Sequence, residues 1–300
     1  MTSAEQNPRV AFQGERGAFS EEAAIKLFGE EVRLVPCRTF EKMFAAVGDD
    51  LADCVLAPIE NSLAGSVHRT YDLLLESPLN ISAEVVIPIA HHLIGNRESS
   101  LETITMVESH PVALAQCERF FATHRHLERM ATDDTAASVR RVMAAGDCSR
   151  AAIAGSRAAS IYGGAILCEH LEDHKENYTR FVLLTPAAAA SAVLARADKL
   201  SLVFSLPDQP GALYRALEPF ARRSIDLLKI ESRPIMGQPW RYRFYLDLEA
   251  STSDIEVTDA LAELRERADE VRLLGSYPAA RLPLEGTSDQ QKGSKKEINQ

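Results

Sequence analysis

The chain has 300 residues, of which 46% are hydrophobic and 25% charged, and its formal net charge is −10 at pH 7. This composition predicts a soluble globular protein of about two domains, at the usual ~150 residues per domain. The acidic excess argues against nucleic acid as a partner, because such binding needs clustered lysine and arginine. An anionic small substrate remains compatible with the composition only if a local basic pocket receives it.

The sequence offers no sign of a membrane or export segment. No apolar run approaches the ~20 residues that a membrane-spanning helix needs. Residues 1–9 lack the apolar core of a secretory signal. We therefore expect a cytoplasmic protein that binds neither membranes nor nucleic acid.

Cysteine and histidine spacing gives no strong indication of a metal. The five cysteines are odd in number and include no CxxC pair, so free thiols in a reducing compartment are the preferred interpretation. His170 and His174 have the four-residue spacing of a helical metal site. The acidic residues around them favour a solvated face instead, and no metal is predicted.

The first predicted strand, at residues 9–12, leads into the glycine-containing loop Gly14–Ser20 and then a helix. Free N–H groups at a helix start can bind an anion, so Ser20 is a candidate substrate-binding residue. A plain turn in which Ser20 caps the helix explains the pattern equally well.

Several later strands also end in polar residues, where an α/β fold binds its ligands. Glu60, Asn61 and Ser62 follow the apolar run 54–59, and a carboxylate in that position needs a partner. His110 ends the strand predicted at 103–107, where it can use its proton, hold an anion or simply cap the next helix. Thr135 opens another predicted helix.

The segment Asn177-Tyr178-Thr179-Arg180-Phe181 enters the apolar strand that continues through 182–184. Alternation along a strand places Thr179 and Phe181 on one face and Arg180 on the other. Thr179 and Arg180 can therefore share a ligand only if the strand bends or bulges there.

Alternating strands and helices predict an α/β fold of two lobes around a hinged cleft. We place lobe one at about 8–80 and 163–186 and lobe two at about 81–162. An Ala-rich linker then leads to a βαββαβ unit at 199–277. The polar residues 278–300 are expected to be disordered.

The motifs together resemble those of prephenate dehydratase, followed by an ACT regulatory domain, over roughly residues 8–277. The catalytic motifs are Gly14-x-x-Gly17-x-x-Ser20, Pro58-Ile59-Glu60-Asn61-Ser62-x-x-Gly65-x-Val67, Ser109-His110-Pro111, Gln116-Cys117 and Asn177-x-Thr179-Arg180-Phe181. The ACT motifs are Pro210-Gly211-Ala212-Leu213 and Glu231-Ser232-Arg233-Pro234. Val112 departs from the glutamine that many members carry. With no chorismate mutase segment ahead of the motifs, the chain resembles the monofunctional form.

The resemblance implies a periplasmic-binding-protein-like catalytic domain, a ferredoxin-like ACT domain, and conversion of prephenate to phenylpyruvate without a cofactor. Thr179 is the implied catalytic residue at the leaving hydroxyl, with Glu60 and His110 as possible proton sources. Arg180 is either an anion clamp or a support for Thr179 or Glu60. The candidate substrate-binding residues are Ser20, Asn61, Ser62, Thr135, Asn177 and Phe181, the last chiefly for packing.

The ACT motifs imply feedback by phenylalanine at an interface between ACT domains of a homodimer or homotetramer. The expected effector-binding residues are Gly211, Ala212, Leu213, Glu231 and Ser232. Two alternatives stay open. The substrate can be arogenate, which carries an amino group in place of the keto oxygen, or the chain can be a non-catalytic amino-acid-sensing protein.

Overall fold

The computed structural model of the chain describes residues 7–186 and 197–281. Residues 187–196 of the predicted linker and residues 282–300 of the predicted tail lie outside these ranges. Within the described ranges the chain forms three β-sheets with helices packed against them.

The strands are β1 (Arg9–Gln13), β2 (Arg33–Cys37), β3 (Cys54–Asn61), β4 (Gly65–Ser66), β5 (Leu79–Pro88), β6 (His92–Gly95), β7 (Met106–Ser109), β8 (Glu128–Ala131), β9 (Arg150–Ala154), β10 (Ala165–Cys168), β11 (Tyr178–Pro186), β12 (Lys199–Ser205), β13 (Leu227–Pro234), β14 (Tyr242–Glu249) and β15 (Glu270–Tyr277). The helices are α1 (Phe19–Phe28), α2 (Phe40–Gly48), α3 (His68–Glu76), α4 (Pro111–Ala115), α5 (Glu118–Thr123), α6 (Thr135–Ala145), α7 (Ser156–Tyr162), α8 (Ala212–Arg222) and α9 (Ile255–Arg267).

The first sheet brings two of the sequence motifs side by side. Its strand order is β2-β1-β3-β11-β5, with β4 paired to β3. β11 runs antiparallel between β3 and β5, with Thr179 paired to Asn61 and a register shift after Arg180. The motif that ends β3 and the motif that begins β11 therefore meet at one end of the sheet.

The second sheet, in the order β10-β6-β9-β7-β8, forms the other lobe. The lobe boundaries differ from those predicted, because β5 belongs to the first sheet and β10 to the second. Residues 81–95, all assigned to lobe two, include most of β5 and the whole of β6, which are strands of different sheets. Apolar alternation identifies a strand but not the sheet that it joins, which is why the boundaries were misplaced.

The third sheet has the βαββαβ connectivity predicted for 199–277, in the order β13-β14-β12-β15. Helices α8 and α9 cover one face with an apolar core. The opposite face packs on lobe one, so that Tyr245 and Asp247 of β14 are only 4% and 8% exposed. Gly275 is required at this contact, because a Cβ there would lie 2.1 Å from the carbonyl oxygen of Ile81.

Close contacts join the two lobes beside α1. The buried carboxylate of Glu21 accepts hydrogen bonds from the Gly17 N–H at 2.9 Å and from Arg157 Nε at 2.9 Å. Gly17 has φ +86°, and a Cβ there would lie 2.8 Å from the Cα of Ala158 in the other lobe. Gly17, the second glycine of the predicted loop, is therefore required for the close approach of the two lobes.

Glu22 gives the stability of this contact a pH dependence. Its Oε1 is buried without a hydrogen-bond partner among the described residues, and burial raises its pKa from 4.5 to about 7. An acid with a raised folded pKa destabilises the fold as pH rises from its unfolded value to its folded one. We expect Glu22→Gln to be more stable than the unmodified chain at pH 8 by up to about 3 kcal/mol, and equally stable near pH 4.

Denaturant unfolding at both pH values measures this difference. Glu30→Gln is the matched control, because Glu30 approaches the same Arg157 at 3.4 Å with a 71% exposed side chain. That control should change stability by less than about 1 kcal/mol at either pH. A Glu22→Gln protein with the same pH dependence as the unmodified chain would contradict the prediction.

Candidate active site

A cavity of about 480 Å³ lies between the two lobes, within the range of roughly 300–1,000 Å³ typical of small-molecule sites. The predicted site residues that line it are Ser20, Asn61, His110, Thr135, Thr179 and Phe181. They come from the starts of α1, α4 and α6 and from the paired ends of β3 and β11. Four predicted residues, Glu60, Ser62, Asn177 and Arg180, are not part of this lining.

Thr179 is held by Asn61 in a defined hydrogen-bonding role. The Oδ1 of Asn61 accepts from the backbone N–H groups of Leu63 and Ala64 at 3.1 and 2.8 Å, which fixes the orientation of the amide. Its Nδ2 then faces Thr179 Oγ1 at 3.0 Å, Asn177 Oδ1 at 2.8 Å and the Tyr178 carbonyl at 3.1 Å, and in the contact with Thr179 the amide can only be the donor. Because the Thr179 oxygen is the acceptor in this bond, its own proton is free to donate into the cavity.

Asn61 also belongs to a closed ring of three side-chain amides. Asn61 Nδ2 donates to Asn177 Oδ1 at 2.8 Å, and Asn177 Nδ2 donates to Gln116 Oε1 at 2.9 Å. Gln116 Nε2 completes the ring by donating to Asn61 Oδ1 at 3.3 Å. The ring joins lobe one to the second lobe through Gln116, and reversing any single amide would break hydrogen bonds on both of its sides.

Asn61 and Asn177 were predicted to bind substrate, and the structure gives them a different position. The Asn61 amide is occupied by protein partners on both ends. Asn177 is fully buried and lies behind the cavity wall. Both side chains therefore orient Thr179 and Gln116 and do not present free donors.

His110 caps α4 and faces the cavity at the same time. Its Nδ1 accepts from the Val112 N–H at 3.2 Å, so a neutral ring carries its proton on Nε2. Burial lowers the pKa of His110, against the opposing charges of Asp134 and Asp133. A neutral imidazole with an N–H donor is thus the form present at neutral pH.

The cavity lining includes no lysine or arginine among the described residues, so the local basic pocket expected for an anion is not observed there. The starts of α1 and α6 line the cavity instead, through Phe19, Ser20 and Thr135. The start of α1 has no side-chain cap and therefore offers unpaired N–H groups and positive partial charge, whereas the start of α6 is capped by Asp134, which lines the cavity with Asp133. Ser20 does not cap α1, since Ala18 holds the N-cap position and Ser20 lies in the first turn.

Arg180 does not line the cavity, which argues against the predicted anion clamp, but its Nε lies 3.5 Å from Glu60 Oε2, in line with the alternative role as a support for Glu60. Its Nη1 lies 2.7 Å from Asp247 Oδ2 and 3.3 Å from Glu84 Oε2. Lys199 completes this buried cluster at 3.0 Å from Glu84. Alternation had placed Arg180 on the face opposite Thr179, and the register shift after Arg180 does not bring the two side chains together.

The predicted roles of Glu60 and Ser62 in the cavity are also corrected, because both side chains bond to protein groups outside it. Glu60 Oε1 lies 2.9 Å from Lys229 Nζ in the third sheet, which removes it as the proton source in the cavity. Ser62 Oγ donates to the Glu176 carbonyl at 2.8 Å and accepts from the Tyr178 N–H at 2.9 Å. Ser62 therefore ties the end of β3 to the chain that enters β11.

A second, smaller cavity of about 260 Å³ lies on the third sheet and its helix α8. Gly211, Ala212 and Leu213 line it, together with Tyr214 and Trp240. Glu231, predicted to bind the effector, instead turns to lobe one, where it contacts Ser66 and approaches Lys229 at 3.2 Å. Ser232, the next residue on β13, points to the other face and is exposed.

Several lining residues of the first cavity were not among the predicted site residues, including Gln116, His91, Asp133 and Asp134. Gln116 stands in one of the motifs quoted above, which was a usable signal. His91 lies in the crossover between β5 and β6, and its wall position depends on a hydrogen bond to Gln116 at 2.9 Å. No spacing rule connects residues 91 and 116.

The fold and the cavity define an α/β enzyme with a two-lobed catalytic domain and a C-terminal ACT domain. Residues 10–189 match the family model described as prephenate dehydratase, and residues 200–266 match the ACT domain. The chain belongs to the prephenate dehydratase family and is a dehydratase of that family. No helix within the described ranges is long and apolar enough to cross a membrane.

Relatives from plants and bacteria share most of the chain. Arogenate dehydratase/prephenate dehydratase 2 of Arabidopsis thaliana is 44% identical over 90% of this chain and 72% of that protein. The bifunctional chorismate mutase/prephenate dehydratase of Neisseria gonorrhoeae is 39% identical over 91% of this chain and 75% of its own. The solved structure of prephenate dehydratase from Arthrobacter aurescens in complex with L-Phe is 32% identical, with a TM-score of 0.82, covering 90% of this chain and 89% of that one.

Proposed function

We propose that the protein converts prephenate to phenylpyruvate, carbon dioxide and water in phenylalanine biosynthesis. The observation that supports this most directly is the Thr179 hydroxyl, which accepts from Asn61 and keeps its proton for a ligand in the cavity. A donor in that position serves a reaction in which a hydroxyl group leaves.

The reaction balances without an added reagent. The bond between the ring and its carboxylate breaks, its electron pair enters the ring π system, and the ring becomes aromatic as the 4-hydroxyl departs. Thr179 donates to the departing oxygen, and the Nε2–H of His110 is the second donor of the cavity. The departing hydroxide takes up one proton, which Thr179 or His110 delivers and regains from solvent, and leaves as water, so that the reaction of the dianionic substrate consumes one solvent proton overall.

The uncharged donors of the cavity suit this chemistry. Ser20, Thr135 and the start of α1, which has no side-chain cap, hold the pyruvyl carboxylate through hydrogen bonds. The ring carboxylate meets no lysine or arginine among the described lining residues, so its negative charge is weakly stabilised before it is lost as carbon dioxide. A strong cationic partner there would stabilise the substrate and slow the loss.

Arogenate is the alternative substrate, and the name of the Arabidopsis thaliana relative includes both activities. The decisive experiment measures turnover of prephenate and of arogenate, each with and without phenylalanine. We expect prephenate to have the higher kcat/KM and phenylalanine to lower it. A preference for arogenate would replace the proposed substrate, and no turnover of either would favour a non-catalytic amino-acid sensor.

We also propose that phenylalanine acts at the smaller cavity and that two ACT domains pair there. The Arthrobacter aurescens relative is described in complex with L-Phe. Apolar side chains near this edge are unusually exposed, including Trp240 at 83%, Tyr214 at 74% and Ile230 at 45%. A second copy of the sheet edge would cover them, giving a homodimer or a homotetramer.

Strands β14 and β13 offer a path from this cavity to the catalytic one, because Tyr242 and Phe244 of β14 line the smaller cavity and β14 pairs with β13. The residues of β13 alternate, with Ser232 on the outer face and Lys229 and Glu231 on the face against lobe one. Lys229 Nζ also lies 2.8 Å from the Oγ of Ser66, which lines the catalytic cavity. A ligand that shifts β13 therefore moves part of the catalytic wall, as feedback requires.

Gly211 is the residue with which to test the effector site. It lines the smaller cavity with φ +75°, and we expect Gly211→Ala to weaken inhibition by phenylalanine at least about tenfold, because a Cβ there would lie 2.9 Å from Arg215 Nη1 and force the cavity wall to shift. Gly237→Ala is the matched control for backbone strain, since Gly237 has φ +77° and open space around it. Equal inhibition constants for the two variants would exclude Gly211 from the effector site.

A further inference from the structure

Lys229 of the ACT domain makes a fixed contact with lobe one. Its side chain is 13% exposed, and its ammonium group has three N–H donors. Three acceptors surround that group: Glu60 Oε1 at 2.9 Å, Ser66 Oγ at 2.8 Å and Glu231 Oε2 at 3.2 Å. Ser66 Oγ in turn donates its own proton to Glu231. Because each donor of the ammonium group has a partner, the lysine is fixed relative to lobe one.

Two of these partners face each other across a hairpin of the catalytic domain. Glu60 lies in β3 and Ser66 in β4, and the two residues form a cross-strand pair. The next pair of the same hairpin is Asn61 with Gly65. Lys229 therefore bridges the two strands of the hairpin one residue pair away from Asn61.

The same hairpin carries the support of the catalytic hydroxyl. Asn61 Nδ2 donates to Thr179 Oγ1 at 3.0 Å. Its Oδ1 accepts from the N–H groups of Leu63 and Ala64, in the turn that joins β3 to β4. Residues 64–67, on the other side of the hairpin, line the catalytic cavity. A movement of β4 relative to β3 therefore alters both the cavity wall and the amide that orients Thr179.

We propose that Lys229 is a positioning residue of the catalytic site, which fixes the β3–β4 hairpin and, through Asn61, the hydroxyl of Thr179. Strand β4 has only two residues, and its strand partner among those described is β3 alone. Backbone pairing of that length holds a hairpin weakly, so the side-chain bridge decides its position. The ACT domain thus supplies part of the support of the reacting group. The inference rests on the proposed function, because the catalytic role of Thr179 does.

Lys229→Met should lower kcat for prephenate by about tenfold, because a misplaced donor assists the departing group less than one held in place. The fall in kcat should exceed any rise in KM, since the residue does not line the cavity. Arg272→Met is the matched control. Arg272 also joins the ACT domain to lobe one, but it donates to the carbonyls of Leu75 and Ser77, beyond the hairpin, at 2.6 and 2.8 Å. Its replacement should leave kcat within about twofold.

Hydrogen exchange examines the hairpin without turnover and so distinguishes failure of this inference from failure of the proposed function. We expect the amides of residues 63–67 to exchange at least about tenfold faster in Lys229→Met than in the unmodified chain, and at an unchanged rate in Arg272→Met. The amides of residues 181–184 in β11 should stay protected in both variants, which shows that the fold persists.

A second variant serves if Lys229→Met does not stay folded. Lys229→Met combined with Glu231→Gln leaves one fewer carboxylate without its cation, and it should show the same faster exchange and lower kcat. Unchanged exchange at 63–67, or a kcat equal to that of Arg272→Met, would overturn the assignment even if the unmodified chain turns over prephenate normally. The expected exchange without turnover by the unmodified chain would contradict the proposed function and leave the bridge by Lys229 in place.

Discussion

Thr179→Val should lower kcat for prephenate by roughly 100- to 10,000-fold, the range found when a side chain that transfers or donates a proton is removed. Valine has nearly the shape of threonine and keeps its preference for a strand, so the fold should persist. The variant removes the Thr179 hydroxyl, which accepts from Asn61 Nδ2 at 3.0 Å and can donate its own proton to a ligand. Because the loss concerns the departing group, kcat should fall more than KM changes.

Thr185→Val is the matched control for that experiment. Thr185 lies on the same strand, β11, and its hydroxyl has no hydrogen-bond partner among the described residues and does not line the cavity. Its replacement should leave kcat within about twofold, since no proton transfer depends on it. Circular dichroism and thermal unfolding of both variants show whether the fold is retained. A Thr179→Val protein with near-normal kcat would remove Thr179 from the mechanism.

Part of this site could be read from the sequence because strand geometry is local. Alternation alone put Thr179 and Phe181 on one face and Arg180 on the other, and the structure has both Thr179 and Phe181 in the cavity wall. The suggested use of Arg180 as an anion clamp was wrong because it required the strand to bend Arg180 towards Thr179. The register shift follows Arg180 and does not have that effect.

The sequence could not identify the residues with which the charged side chains form ion pairs. A carboxylate at the end of β3 was expected to need a partner, and Glu60 has one in Lys229 at 2.9 Å. That lysine belongs to a different sheet, far along the chain, and no periodicity connects the two positions. The direction of Glu231 was missed in the same way, since only the packing of the third sheet on lobe one decides which face of β13 is buried.

The hydrogen-bonding needs of the polar residues were also invisible in the sequence. Asn61, Ser62 and Asn177 are suitable ligands for a carboxylate by residue type, and the structure uses all three to bond other protein groups. A polar residue beside an active site can bind the ligand or hold the residue that does so. Only the count of satisfied donors and acceptors separates these two roles.

Arg180→Met should reduce the free energy of unfolding by about 3–5 kcal/mol at pH 7, the cost of leaving a buried charge without its partner. Arg180 and Lys199 are balanced by Glu84 and Asp247, and these four side chains are 2–12% exposed. Removing one cation leaves a net negative charge between lobe one and the third sheet. Urea unfolding measures the loss. Arg69→Met is the control, because Arg69 pairs with Glu41 at 2.8 Å and both side chains are about half exposed. This control substitution should reduce the free energy of unfolding by less than about 1 kcal/mol.

Two further measurements identify charge as the cause. Burial opposes ionisation of Asp247, but Arg180 and Lys199 hold its pKa below 3.8. A depressed pKa stabilises the fold above the unfolded value and ceases to do so as pH falls through the folded one. The difference in the free energy of unfolding between the unmodified chain and Arg180→Met should therefore narrow as the pH falls towards and below 3.8.

The double variant Arg180→Met with Asp247→Leu should recover most of the lost stability at pH 7, because it leaves Lys199 paired with Glu84 and no uncompensated charge. If the double variant is no more stable than Arg180→Met, then the loss comes from packing around the arginine side chain, and the ion-pair cluster is not what holds β11 to the third sheet.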